Sequence, residues 1–157
     1  MLRLLITNYT MSSTHSVLSH QSDCVRNLSP YFEQVFVLTG SCNSEPPPEN
    51  VNVVNANWDS NARVQSIFRF LKNFWRIVIR FKPQVVFSHM TTLQSVLMGP
   101  ILRLLRIRHV MWYAHTSSSF LLRIAYLFSD SVVTSTVGSF PWQGKKVVAI
   151  GLSLIHI

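Results

Sequence analysis

The chain has 157 residues, 48% of them apolar and 13% charged, with a formal net charge of +8. That length can bury a proper core, and the composition excludes a disordered or low-complexity chain. Cys24 and Cys42 lie in unrelated contexts without metal-binding spacing, and no apolar stretch reaches the roughly 18 residues of a membrane span.

Strand and helix signals alternate along the chain. Leu2–Thr7 predicts a first strand, followed by a loop over Asn8–His15 and a helix over Ser16–Ser29 that stops near Pro30. Val35–Thr39 predicts a second strand closed by Gly40, and Pro46-Pro47-Pro48 an extended, irregular loop. A short third strand is expected at Val51–Val54. A long helix should run from Asn61 to Phe81, because Pro83 disfavours helix at the residue before it.

Val85–Ser88 is the fourth predicted strand. A helix over Thr91–Arg106 follows, kinked or restarted at Gly99-Pro100, and then a fifth strand over Val110–Ala114. The last elements are a helix at Phe120–Phe128 and strands at Ser131–Ser135 and Lys146–Ile150. This alternation, without hairpin signals, predicts an α/β fold: a Rossmann-like parallel β-sheet with helices on both faces. The apolar runs Pro83–His89 and His109–Thr116 each end on a polar cluster with a histidine. Ligands of such sheets gather beyond the carboxyl ends of the strands, so these ends are the first candidates for chemistry.

Charge is segregated. No acidic residue lies between Asp59 and Asp130, a stretch that holds ten of the fourteen lysines and arginines. In the long helix, Arg69, Lys72, Arg76 and Arg80 form one basic stripe. Val64, Ile67, Leu71, Phe74 and Val78 are expected on the opposite, core-facing side, with Phe68, Trp75 and Ile79 beside the stripe. One reading is a solvated face above an ordinary core. The other is an anionic membrane surface met by Arg69, Lys72, Trp75, Arg76 and Arg80, which the lack of interleaved glutamate favours.

Four steps in order carry a family resemblance: Lys82–His89 (KPQVVFSH), His109–His115 (HVMWYAH), Ser129–Ser135 (SDSVVTS) and Lys145–Gly151 (KKVVAIG). Together they resemble the N-terminal domain of family 4 glycosyltransferases, whose steps read roughly P-D-V-I-H-A-H, V-V-x-T-x-H, A-D-x-V-I-x-x-S and K-V-x-V-I-x-N-G. The resemblance implies one half of a GT-B architecture, with the acceptor mainly on the N-terminal domain and the nucleotide-sugar donor, a co-substrate, mainly on a C-terminal one. Transfer is implied in the cleft, with retention and without a metal or other cofactor. The C-terminal domain's paired glutamates have no counterpart here, since no acidic residue follows Asp130. The expectation is therefore an N-terminal domain over 1–151, a truncated or non-native tail at 152–157, an absent donor-binding domain, and no activity from this piece alone.

On the same resemblance, His115 matches the family's histidine near the reacting sugar, so it is the catalytic candidate, with Thr116 beside it. His89 matches the second histidine of the fourth-strand motif, while Phe87 replaces the first; packing is its competing role. The first loop lacks the family's Gly-Gly pair. Its Asn8, Ser13, Thr14, His15 and Ser16 offer hydroxyls and amides to acceptor or phosphate, although Thr14 or Ser16 as a helix cap explains part of it. His20, one turn on, matches a family histidine.

Other chemistries lack their residues. There is no phosphate-loop, dinucleotide-binding or G-x-S-x-G motif, and no metal cluster. Two functions remain. One is the acceptor side of a glycosyltransferase for surface polysaccharide or glycolipid, with a sugar or lipid-linked acceptor as partner. The other is a basic, non-catalytic Rossmann-like module for phosphate-rich partners, an anionic membrane or nucleic acid. Nucleic acid is disfavoured by the lack of a stacking platform and of a helix-turn-helix signal. The opening Met1–Thr7 lacks the length and cleavage site of a signal peptide, so the expected place is the cytoplasm, on the cytoplasmic membrane face if the stripe binds there.

Overall fold

The computed structural model describes residues 2–12, 19–43 and 46–151. In chain order the elements are β1 (Arg3–Met11), α1 (His20–Leu28), β2 (Gln34–Cys42), β3 (Val51–Asn55), α2 (Arg63–Phe81), β4 (Val85–His89), α3 (Thr92–Leu104), β5 (Arg108–Trp112), α4 (Phe120–Phe128), β6 (Ser131–Thr134) and β7 (Val147–Ala149). The strands order as β3-β2-β1-β4-β5-β6-β7 in one seven-stranded sheet, the predicted parallel α/β arrangement. The chain groups into two compact units, Met1–Val86 and Phe87–Ile157, divided within β4.

In the first unit, β1 is buried continuously from Leu4 to Asn8, as a strand covered on both faces must be. It pairs in parallel with β2 from Arg3↔Gln34 to Met11↔Cys42, and β2 pairs with β3 from Val35↔Val51 to Thr39↔Asn55. Two expectations are corrected here. β1 runs on through Asn8, Tyr9 and Thr10, so Asn8 is a strand residue and not part of a loop. β2 likewise passes through Gly40 to Cys42. A Cβ at Gly40 would sit 2.8 Å from the Tyr9 carbonyl oxygen, so the glycine admits a close backbone neighbour and ends nothing.

The core face of α2 is also turned from the expected one. Phe70, Phe74, Ile77, Val78 and Phe81 are buried, whereas Val64 is 67% exposed. Aromatic packing accounts for the rotation. Phe81 meets Phe36 at 4.4 Å between centroids, Phe70 stacks on Phe74 at 6.3 Å, and Trp58 meets the Phe70 edge at 6.3 Å. The large rings therefore set the buried arc, roughly 50–60° away from the one centred on Leu71 and Val78. Arg69, Lys72, Arg76 and Arg80 are all exposed.

In the second unit, β5, β6 and β7 pair in parallel, Val110↔Ser131 to Trp112↔Val133 and Val132↔Val147 to Thr134↔Ala149. Met111, Leu122, Ala125, Val132 and Phe140 form a core cluster flanked by Tyr113, Tyr126 and Trp142. β5 spans Arg108–Trp112, two residues ahead of the predicted span, although the Tyr113 amide still bonds the Val133 carbonyl at 3.0 Å. α3 is one helix with Pro100 inside it, not two segments. Gly99 serves a close approach to α4: its Cβ would lie 2.5 Å from that of Phe128.

Candidate functional site

The carboxyl ends of β4 and β5 meet within the second unit. Beyond β4 the chain turns sharply at Met90, whose φ of 59° is left-handed. The Met90 amide donates to the Trp112 carbonyl at 3.0 Å, and its thioether accepts the Ala114 N–H at 3.4 Å. A left-handed methionine stores strain, which persists only where neighbours hold it. Nothing in the sequence singles out this position. His89, just before it, is buried edge-on to the rings of Phe87 and Trp112, each 6.0 Å away.

His115 stands in the exposed turn after β5, with Thr116 exposed beside it. Its Nδ1 accepts the Ser117 amide proton at 3.0 Å. A neutral ring so held carries its own proton on Nε2, which makes that nitrogen an N–H donor. The turn is further fixed by the Tyr113 hydroxyl, which donates to the Ser117 carbonyl at 3.1 Å. Ser119 then caps α4, its Oγ accepting the Leu122 N–H at 3.1 Å. His115 thus braces the turn just ahead of that cap.

Beneath this rim lies a buried network that sequence reasoning missed. His109 is fully buried; its Nε2 pairs with Ser88 Oγ at 2.8 Å. Ser95 Oγ approaches Ser88 Oγ at 2.9 Å and the Thr91 carbonyl at 2.8 Å. The His109 amide donates to Asp130 Oδ2 at 2.7 Å. Burial pushes the His109 pKa down to about 4, with the Asp130 carboxylate and the Phe128 backbone pulling the other way. A buried, neutral imidazole of this kind ties β5 to β4 through Ser88. The available signal was its place at the buried start of an apolar run.

In the first unit, the end of β1 is held by Gln21, whose Oε1 accepts the amides of Tyr9 and Thr10 at 3.0 and 3.1 Å. Ser41 donates to Thr10 Oγ1 at 3.0 Å across the pair. Asn8 is buried, its Nδ2 on Met11 Sδ at 3.4 Å. Its Oδ1 has no hydrogen-bond partner among the described residues. His20 opens α1 half-buried, and the neighbouring Gln21 reaches back to β1. Ser13, Thr14, His15 and Ser16 lie outside the described residues, as does the 152–157 tail. Among the described residues no group of three or more His, Cys, Asp or Glu side chains is placed to hold a metal ion.

No protein-family model and no curated protein matches the chain. Solved structures do. MurG of Acinetobacter baumannii matches with a TM-score of 0.65 at 12% identity, over 96% of this chain and 45% of its own. The UDP-GlcNAc 2-epimerase of Methanocaldococcus jannaschii matches at 0.58 and 14%, over 88% and 40%. HepE from Anabaena, solved with UDP and glucose, matches at 0.55 and 12%, over 88% and 39%. The likeness is one of fold: the chain shares a Rossmann-like α/β domain with these GT-B proteins and spans less than half the length of each.

Proposed function

We propose that the chain is the acceptor-side half of a retaining, UDP-sugar-dependent glycosyltransferase of the family 4 type, acting on a surface polysaccharide or glycolipid at an anionic membrane face. His115 carries the reading. It is exposed past the carboxyl end of β5, and the Ser117 amide on Nδ1 leaves Nε2–H as a donor. A donor so placed suits a sugar hydroxyl or the charge that develops as the C1–phosphate bond breaks. The new C1–oxygen bond forms on the same face, and the acceptor's proton leaves with the departing phosphate. UDP as the donor's nucleotide is supported by HepE, solved with UDP-glucose, and by an epimerase of Neisseria meningitidis bound to UDP-GlcNAc.

The test is transfer by the protein at its native length, with UDP-sugars and extracted membrane lipids, the product's anomer read by NMR. Retained configuration is expected, with His115→Ala lowering kcat by about 10²–10³-fold at unchanged near-UV circular dichroism. Inversion would sink the retaining assignment. Release of an epimerised sugar without a glycoside would replace the transferase by an epimerase. Binding of phosphate-rich surfaces with no turnover of any UDP-sugar would favour the non-catalytic module.

A further inference from the structure

At the amino-terminal end of β5, the other end of that strand from His115, the second unit holds an open surface cleft of about 340 Å³. It is lined by Arg103, Arg106 and Arg108 together with Asp130, and its apolar lining includes Leu102 and Phe128. That size lies within the range of small-molecule sites, roughly 300–1,000 Å³. The charges are unbalanced. Asp130 is the one carboxylate among the lining residues, and its Oδ2 already accepts the His109 amide at 2.7 Å.

The backbone adds an independent observation. α3 closes with Leu105 N–H on the Ile101 carbonyl, Arg106 N–H on that of Arg103 and Ile107 N–H on that of Leu102. Arg106 has φ 55°, the left-handed position after a helix where glycine is favoured. An arginine there carries strain that a glycine would not. The same bonds occupy the last carbonyls of α3, which would otherwise repel an anion. Arginines present forked donors that match phosphate oxygens.

We propose that this cleft binds a soluble phosphorylated small molecule through Arg103, Arg106 and Arg108, at a site separate from the proposed transfer chemistry and independent of it. Titration calorimetry of the full chain with inorganic pyrophosphate tests it, wild type against Arg103→Ser/Arg106→Gly and against Arg106→Gly alone. One-to-one binding is expected in the wild type, weakened roughly tenfold or more in the double variant. Because glycine relieves the left-handed strain, the ligand-free melting temperature of Arg106→Gly should hold or rise, so a loss of binding in that single variant cannot be blamed on unfolding, and near-UV circular dichroism checks the fold of the double variant. Equal pyrophosphate binding by wild type and double variant, or none by the wild type, overturns the site. Phosphatidylglycerol vesicles form the second arm: if the double variant loses vesicle binding while keeping pyrophosphate binding, the arginines belong to a lipid headgroup and the proposal falls.

Discussion

His109 shows how a single buried side chain makes stability depend on pH. Its imidazole is neutral in the fold, with a pKa lowered from 6.5 to about 4 by burial. Between those values the unfolded chain takes up a proton there and the folded chain does not. The contribution is therefore fully present above about pH 6.5, shrinks as pH falls, and is lost by about pH 4. Its size is on the order of 3 kcal/mol. Urea unfolding at pH 7.5 and at pH 4.5 should show this loss, and His109→Gln should flatten it. A wild-type stability unchanged across the window would refute the assignment. Removing the partner acts at every pH: Ser88→Ala leaves Nε2 buried without its hydroxyl, costing about 1–3 kcal/mol in the same assay. At this scale the sequence spoke unevenly. His115 stood out because its run ended on polar residues. His109 opened a run no less visibly, yet only the tertiary fold shows it closed off against Ser88.

Elements were far more legible than faces. Period-2 and period-3.6 patterns are local properties, so every predicted strand and helix exists, α4 over the same residues, Phe120–Phe128. Which arc of α2 meets the sheet is a packing outcome, decided by Phe70, Phe74 and Phe81 against Trp58 and Phe36, and short-range pattern cannot rank such rings. The restart offered at Gly99-Pro100 is absent for a related reason. The pair reads as a break, but Pro100 is exposed inside the helix and Gly99 faces Phe128 across the α3–α4 contact. In an isolated helix Gly99→Ala would gain about 1 kcal/mol. Here the new methyl overlaps the Phe128 Cβ and Cγ at 2.5 and 2.8 Å, atoms close to the backbone that cannot swing aside. Overpacking of this kind costs about 1–3 kcal/mol, so the variant should melt a few degrees lower. A variant melting at or above the wild type would show that α4 shifts freely.

Charge is the whole-molecule property that was fully readable, since it needs only the order of residues. What the sequence left open was whether the basic stripe of α2 is merely solvated. Val64, Phe68, Trp75 and Ile79 are 67, 69, 48 and 53% exposed, at spacings of four, seven and four residues. At about 100° per residue they fall within a sector of roughly 60°, beside the sector of Lys72, Arg76, Arg69 and Arg80. An exposed apolar ridge beside a basic one is the pattern of a helix lying in a bilayer interface. No described helix is long and apolar enough to cross a membrane, so any attachment through α2 is from one side. The net charge of +8 should then govern capture by the surface, and the ridge should govern retention. Sedimentation with phosphatidylglycerol vesicles should exceed that with neutral vesicles, and weaken as salt shortens the Debye length from about 10 Å at 0.1 M. Trp75 fluorescence should shift to the blue on binding. Phe68→Ser/Ile79→Ser should keep the salt-sensitive capture and lose the part that survives high salt, whereas Arg69→Ser/Arg76→Ser should lose the capture. Sedimentation indifferent to anionic lipid would return the stripe to ordinary solvent.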